Sequence, residues 1–249
     1  MKIKYRETND KRVVDFNDFI KHKYPQFFKE TKPDLILVAG GDGAMLHAIQ
    51  ELIDLQVPFF GKAQGSFNFL MNIFDVDTQV IEGLLNNLYD LYIVETGAIE
   101  VNLDGKHVGE AVNEVLIGNS INGYHDFTIT TEDLSFNEFK LKGCGICVST
   151  PLGSTGYNFN NGGPILPIGR KLWAISSIVC NQHVNDLLNI QSLHITVNKG
   201  HLFLDGIEKA DINSQSKLVL SPGKIVRLAF LDKQQFLHQR VGLSHRLRK

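Results

Sequence analysis

Gly40-Gly41-Asp42-Gly43 stands between an apolar run, Leu35 to Ala39, and a helical pattern from Ala44 to Ile53. Glycines at such a turn let the backbone pass close to a ligand, and the free N–H groups of the following helix can receive phosphate oxygens. A carboxylate in the middle of that turn would repel a phosphate. Asp42 is therefore read as a base for a hydroxyl or a bridge to a divalent cation, beside the plainer alternative of a helix N-cap worth about 0.5 to 2 kcal/mol.

Two further clusters carry polar chemistry. In Ala111-Val-Asn113-Glu114-Val-Leu-Ile117, two hydrogen-bonding side chains interrupt an apolar strand, and adjacent strand residues face opposite ways. Asn plus Glu offers both donors and acceptors, as sugar hydroxyls require, although an edge strand would explain the pair equally well. Ser149-Thr-Pro-Leu-Gly-Ser-Thr-Gly-Tyr157, with Asn158, Asn160 and Gly162-Gly163-Pro164 after it, is a loop of hydroxyls, small residues and one aromatic, suited to a flat polar group such as a purine. A serine-hydrolase elbow needs G-x-S-x-G, and Gly153-Ser154-Thr155-Gly156 has the wrong spacing.

The elements that must position these residues change character along the chain. Val13, Val14, Phe16, Phe19 and Ile20 suggest a short amphipathic helix, Leu35 to Ala39 a strand covered on both faces, and Met45, Ala48, Ile49, Leu52 and Ile53 the inner face of a helix. Pro58 to Gly61 reads as the next strand. This is α/β grammar, with sites at the carboxyl ends of strands. Beyond about residue 91 short β-rich runs follow: Leu91 to Val94, Ala111 to Ile117, Phe127 to Thr130, Ile146 to Ser149, Leu193 to Val197, His201 to Leu204, Lys217 to Leu220 and Ile225 to Phe230. Turns are expected at Asp104-Gly105, Asn122-Gly123, Asp205-Gly206 and Pro222-Gly223.

Composition bounds the remaining options. At 249 residues, 43% hydrophobic and 21% charged, the chain can bury a core in one large domain or two small ones. Lys and Arg number 25 against 27 Asp and Glu, so no global positive field holds nucleic acid, and the basic tail Arg240, His245, Arg246, Arg248, Lys249 is read as a solvated end. The uncharged stretch Gly143 to Gly169 is a loop region too rich in Gly, Pro, Ser and Asn to span a bilayer. No secretory leader is visible, so the cytoplasm is the expected compartment. Cys144 and Cys147 form a C-x-x-C without a second ligand pair and are read as strand thiols, not a zinc site.

With the three clusters in this order the chain resembles the NAD kinases, whose pattern is a GGDG turn, an N-E pair, S-T-P-x-G-S-T-[AG]-Y and a G-G-P-I segment. Here these stand at Gly40 to Gly43, Asn113-Glu114, Ser149 to Tyr157 and Gly162-Gly163-Pro164-Ile165, and the resemblance covers about residues 34 to 230. GGDG alone is shared with diacylglycerol and sphingosine kinases; the long third motif makes the likeness specific. The resemblance implies an α/β N-terminal domain, residues 1–91, and a β-rich NAD-binding domain, residues 92–233, with the tail 234–249 packing back on the first and NAD bound between the two. It implies phosphoryl transfer from ATP or polyphosphate to the 2′-hydroxyl of the adenosine ribose of NAD, giving NADP, with a divalent cation, Mg²⁺, whose ligands it leaves unknown. By motif match Asp42 would be the general base and Gly41 and Gly43 would lie near phosphates. Asn113 and Glu114 would hold ribose hydroxyls or the adenine, Ser154, Thr155, Gly156, Tyr157, Asn158 and Asn160 would line the pocket, and Phe69 would lie beside the adenine. The resemblance further implies a cytoplasmic homodimer or homotetramer whose partners are small nucleotides, with neither nucleic acid nor membrane.

Four positions depart from the family pattern. Its [RK]-x-D-G, whose Asp reaches the nicotinamide side, appears as Lys142-Gly143-Cys144-Gly145; an Asn of the second glycine loop is Ala63, a Gly is Asn68, and the late D-[GS]-Q turn is Asp205-Gly206-Ile207. Loss of one hydrogen bond to a charged group costs about 1.5 to 3 kcal/mol, so Cys144 alone would raise KM for NAD about tenfold or more. A weakened or altered nicotinamide pocket, favouring NADH or another adenosine compound, is the expectation. Two other classes stay open: a dinucleotide-binding sensor without turnover, in which Cys144 is a redox-sensitive thiol, and a related GGDG-type lipid kinase.

Overall fold

A computed structural model describes residues 3–5, 11–27, 32–64, 68–74, 78–118, 123–131, 138–189, 192–234 and 236–237. The basic tail residues Arg240, His245, Arg246, Arg248 and Lys249, and the turn residue Asn122, lie outside the described residues. The chain divides into two compact units, Met1–Glu95 with Val226–Lys249, and Thr96–Ile225.

The first unit is α/β. Strands β1 (Ile3–Tyr5), β2 (Leu35–Gly40) and β3 (Phe59–Ala63) are parallel, and the end of β14 (Leu218–Phe230) adds beside β3, Leu228 opposite Phe59. The helices are α1 (Lys11–Lys23), α2 (Asp42–Leu52) and α3 (Thr78–Leu85). Leu35, Leu37 and Ala39 cluster with Ile20 of α1 and Ile81 and Leu84 of α3. On the other face, Gly61 of β3 comes so close to Met45 of α2 and to Met71 that a Cβ there would lie within 3 Å of both side chains. Cover on both sides explains the unbroken apolar run of β2. Ile20 is buried as its spacing required, while Phe19 is 43% exposed and lies off the core face.

The second unit is β-rich and antiparallel. It holds the rest of β4 (Tyr92–Leu103), then β5 (Lys106–Ala111), β6 (Glu114–Gly118), β7 (His125–Thr131), β8 (Glu138–Ser149), β9 (Leu172–Cys180), β10 (Asn185–Asn189), β11 (Leu193–Val197), β12 (Lys199–Leu204), β13 (Ile207–Asn213) and the start of β14, with one short helix, α4 (Tyr157–Asn160). Within it β11 lies between β14 and β7, and the order continues through β8, β6, β12 and β13, with β9 and β10 added beside β8. Ile117, Phe127, Ile146, Trp173, Ile195 and Leu202 are among its buried core.

Several sequence expectations need correction. Ala111 to Ile117 is not one strand: β5 ends at Ala111, the chain bends through Val112 and Asn113, and β6 begins at Glu114. Pro222-Gly223 is no hairpin turn but lies inside the continuous strand β14. The first residues of the uncharged Gly143 to Gly169 stretch are not loop but the buried end of β8, which carries Cys144 and Cys147. Strands β9, β10 and β13 were not anticipated. Ser176-Ser177 interrupts the apolar run of β9, β10 carries Asn and Asp, and β13 is an end strand with only Ile212 fully turned inward. Asp104-Gly105 and Asp205-Gly206 do form hairpin turns, with positive φ at all four residues, as type I′ geometry demands. Among the described residues no helix is long and apolar enough to cross a membrane.

Candidate active site

In the first unit the GGDG turn is where β2 passes into α2. Gly40 takes φ 137°, and a Cβ there would lie 2.7 Å from that of Ala44, so the strand can enter the helix this sharply only through glycine. The N-cap is Gly41, in extended conformation, and no side chain caps the helix. Asp42 is thus the first helical residue and not the cap, so the N-cap reading of its carboxylate fails. Its oxygens accept the N–H of Phe69, at 2.8 Å from each, and the N–H of Leu70, at 2.8 Å. The side chain is half-buried, and among the described residues nothing lies within 4 Å of where a Cβ on Gly43 would stand.

The segment that holds Asp42 is itself held by Asn72, which is fully buried. Asn72 Nδ2 donates to the carbonyls of Gly61 at 3.1 Å and Ala229 at 3.0 Å, its Oδ1 accepts the N–H of Leu231 at 2.8 Å, and its backbone pairs with Gly61 and Ala63. Asn72 was missed from the sequence. Its signal is a lone amide in the apolar run Leu70-Met-Asn-Ile-Phe74.

The second unit assembles Asn113, Glu114 and the Ser149 to Asn160 loop. Asp205, first residue of the β12–β13 turn, reaches across to the bend before β6: Oδ2 accepts the N–H of Val112 at 2.8 Å, and Oδ1 those of Asn113 at 2.6 Å and Glu114 at 3.0 Å. From the other side Thr150 Oγ1 donates to the Val112 carbonyl at 2.6 Å, the Thr150 N–H to Asn113 O at 2.8 Å, and the Asp205 N–H to Glu114 O at 3.0 Å. The bend's backbone is thereby satisfied by the protein. Asn113 Oδ1 remains buried without a hydrogen-bond partner.

Glu114 is buried, and burial together with the negative charge of Asp205 pushes its carboxyl up to about 7. Cys147, on the neighbouring β8, is pushed up to about 12 by burial and then by Glu114. A Cβ on Gly153 would lie 2.3 Å from Asn113 O, so the loop packs directly on the bend. Ser154 and Asn158 are fully buried, and Ser154 Oγ and the Asn158 amide NH₂ are spent inside the loop, while Asn158 Oδ1 is buried without a hydrogen-bond partner among the described residues. Ser154 Oγ donates to Pro151 O and accepts from Leu166 N–H, while Asn158 Nδ2 donates to Ser154 O and Pro164 O. Thr155 is half-buried, and Gly156, Tyr157 and Asn160 are exposed.

Lys142 and Cys144 are not brought to this group. They lie on β8 seven and five residues before Ser149, or about 23 and 16 Å along an extended strand. Lys142 is exposed, with Nζ 3.8 Å from Asp126, and Cys144 is buried.

The chain is similar to known proteins in both sequence and fold. The ATP-NAD kinase N-terminal domain family matches residues 1–91. The NAD kinase of Rickettsia canadensis (strain McKiel) is 31% identical over 175 residues, covering 69% of this chain and 66% of that one, and the NAD kinase of Rickettsia bellii (strain OSU 85-389) is 34% identical over 149 residues, covering 58% and 56%. The chain belongs to the NAD kinase family. The matched stretches span 56 to 66% of these two relatives' own lengths. Among solved structures, an NAD kinase from Archaeoglobus fulgidus in complex with ATP superposes with a TM-score of 0.71 at 17% identity, covering 95% of each chain. Yeast NADH kinase complexed with NADH gives 0.75 at 15%, covering 95% of this chain and 84% of that one. Those likenesses establish the two-domain NAD kinase fold.

Proposed function

We propose that the protein is an NAD kinase that transfers a phosphoryl group from ATP or polyphosphate to the 2′-hydroxyl of the adenosine ribose of NAD, giving NADP. The observation that carries this reading is Asp42: a half-exposed carboxylate at the uncapped N-terminus of α2, fixed by the Phe69 and Leu70 N–H groups. It is not the helix cap, and it stands part-exposed while it pins the Phe69–Leu70 backbone.

In this reading the first unit supplies base and phosphate site. The helix N-terminus and the open space at Gly43 admit phosphate oxygens, with Gly41 beside them. A ribose hydroxyl is far too weak an acid to ionise at neutral pH, so Asp42 takes its proton as the oxygen attacks a loose, metaphosphate-like centre. Magnesium takes oxygen ligands, keeps several waters and is satisfied by one or two carboxylates with substrate phosphates, a demand that Asp42 fits. Asp42 would hold the ion, which supplies neutralisation of the phosphate charge. The second unit supplies recognition: Asn113 and Glu114 hold sugar hydroxyls or the adenine, and Thr155, Gly156, Tyr157 and Asn160 line the dinucleotide. Phe69 adds an aromatic face for the adenine. Ser154 and Asn158 serve by bracing the loop. Cytoplasmic homodimers or homotetramers complete the proposal, and the end strands β10 and β13 are surfaces on which copies can pair.

The test is NADP formation from NAD, ATP and Mg²⁺, read with an NADP-specific dehydrogenase beside Asp42→Asn. The variant should lose about 10² to 10⁴ in kcat. Wild-type turnover in Asp42→Asn would remove the base; NAD binding with no turnover in either protein would favour a sensor.

A further inference from the structure

Three consecutive N–H groups, those of Val112, Asn113 and Glu114, converge on one carboxylate, that of Asp205. Such a nest of N–H groups is ordinarily a place for an anion from solution. Here the chain fills it with its own Asp, so the bend offers a ligand only its side chains. Those are Asn113, whose Oδ1 is buried and unpartnered, and Glu114.

We propose that Asp205 is a positioning residue for dinucleotide binding, gathering these N–H groups so that Asn113 and Glu114 are presented in one fixed geometry. The inference rests on the kinase reading for what Asn113 and Glu114 hold. A turn role alone does not account for Asp205. Asn-Gly suits a type I′ hairpin as well as Asp-Gly, but an asparagine has a single acceptor oxygen and would turn an NH₂ group toward a backbone N–H. The carboxylate has a second effect through its charge. The titratable groups that face Glu114 are Asp205 from the β12–β13 turn and Cys147 from β8, and the thiol, pushed up to about 12, is neutral. Asp205 is therefore the charge that works against ionisation of Glu114.

Asp205→Asn is the variant to make, with Asp104→Asn as its match: Asp104 is also the first residue of an Asp-Gly turn with positive φ, and its carboxylate accepts the N–H of Lys217 at 2.7 Å. In Asp205→Asn, KM for NAD should rise by about tenfold or more while kcat stays within about twofold, as loss of a charged hydrogen-bond acceptor implies. The Glu114 titration midpoint, read from carboxyl ¹³C shifts, should fall below the wild-type value of about 7. Asp104→Asn should leave both readouts unchanged. An unchanged KM or an unmoved midpoint in Asp205→Asn overturns the proposal, as does an equal rise of KM in Asp104→Asn. If the wild type makes no NADP, the kinase reading fails by itself, and the Glu114 midpoint still decides whether Asp205 acts on the bend. Should Asp205→Asn not fold, Asp205→Glu takes its place: it keeps the charge but displaces the carboxylate, so KM should rise with the midpoint held, and wild-type KM there also overturns the proposal.

Discussion

Glu114 titrates near 7 in the folded chain against an ordinary 4.5, first because it is buried and then because of Asp205. Between those two values the folded state keeps a proton that the unfolded state releases. Stability therefore falls as pH rises from about 4.5 to about 7 and is level above, with a total on the order of 3 kcal/mol. Glu114→Gln should flatten that slope, so the gap between urea midpoints at acid and neutral pH should shrink relative to wild type. An identical gap in both proteins would show that Glu114 is solvated. At this scale the sequence marked the candidate residues and not their supports. Asp42, Asn113 and Glu114 stand out as polar residues in places where a turn or strand does not need them. Asp205 was legible only as a turn residue, because its partners lie more than ninety positions away in the chain, and no spacing rule reaches that far.

Elements carry the next set of consequences. Among the described residues a methyl on Gly43 meets nothing within 4 Å, and alanine in the first turn of α2 removes backbone freedom from the unfolded chain. Gly43→Ala should therefore melt no lower than wild type, with stability equal or higher by about 0.5 to 1 kcal/mol, yet raise KM for ATP about tenfold if the methyl stands where the proposed phosphate site lies. Gly153→Ala should do the opposite to stability. Its methyl would press on the Asn113 carbonyl, and backbone on both sides cannot yield cheaply, so thermal unfolding should come at lower temperature by the equivalent of about 1 to 3 kcal/mol, with weaker NAD binding. Strands such as β2, an unbroken apolar run, and β11, an apolar–polar alternation, were legible because burial on both faces or on one writes itself into the residue pattern. The break between β5 and β6 was not, since Ala111 to Ile117 reads as a single strand with two polar residues, and the bend is held by groups of Asp205 and Thr150 that lie far away in the chain.

For the whole molecule the division falls at Glu95 and Val226, inside β4 and β14, so chain composition is continuous across it and gives no boundary to read. The stretch after Val226 is tied into the first unit by Asn72, and Phe236 packs on Tyr92 and Phe230 with ring centroids 5.7 and 5.2 Å apart. Asn72→Ala strands the Ala229 carbonyl and the Leu231 N–H, at a cost of roughly 2 to 4 kcal/mol. Amide exchange should then quicken in 59–63 and 226–231 while 96–225 keeps its protection; uniform acceleration everywhere would mean that the two units unfold as one. The cysteines allow the same question to be asked with a dye. Cys144 and Cys147 are sealed inside β8, whereas Cys180 is only partly covered, so a maleimide at mildly alkaline pH should tag the native protein once, at Cys180, and gain access to the other two only when the second unit opens. The chain thus carries an internal clock for the unfolding of that unit alone, readable by mass spectrometry without any engineered label.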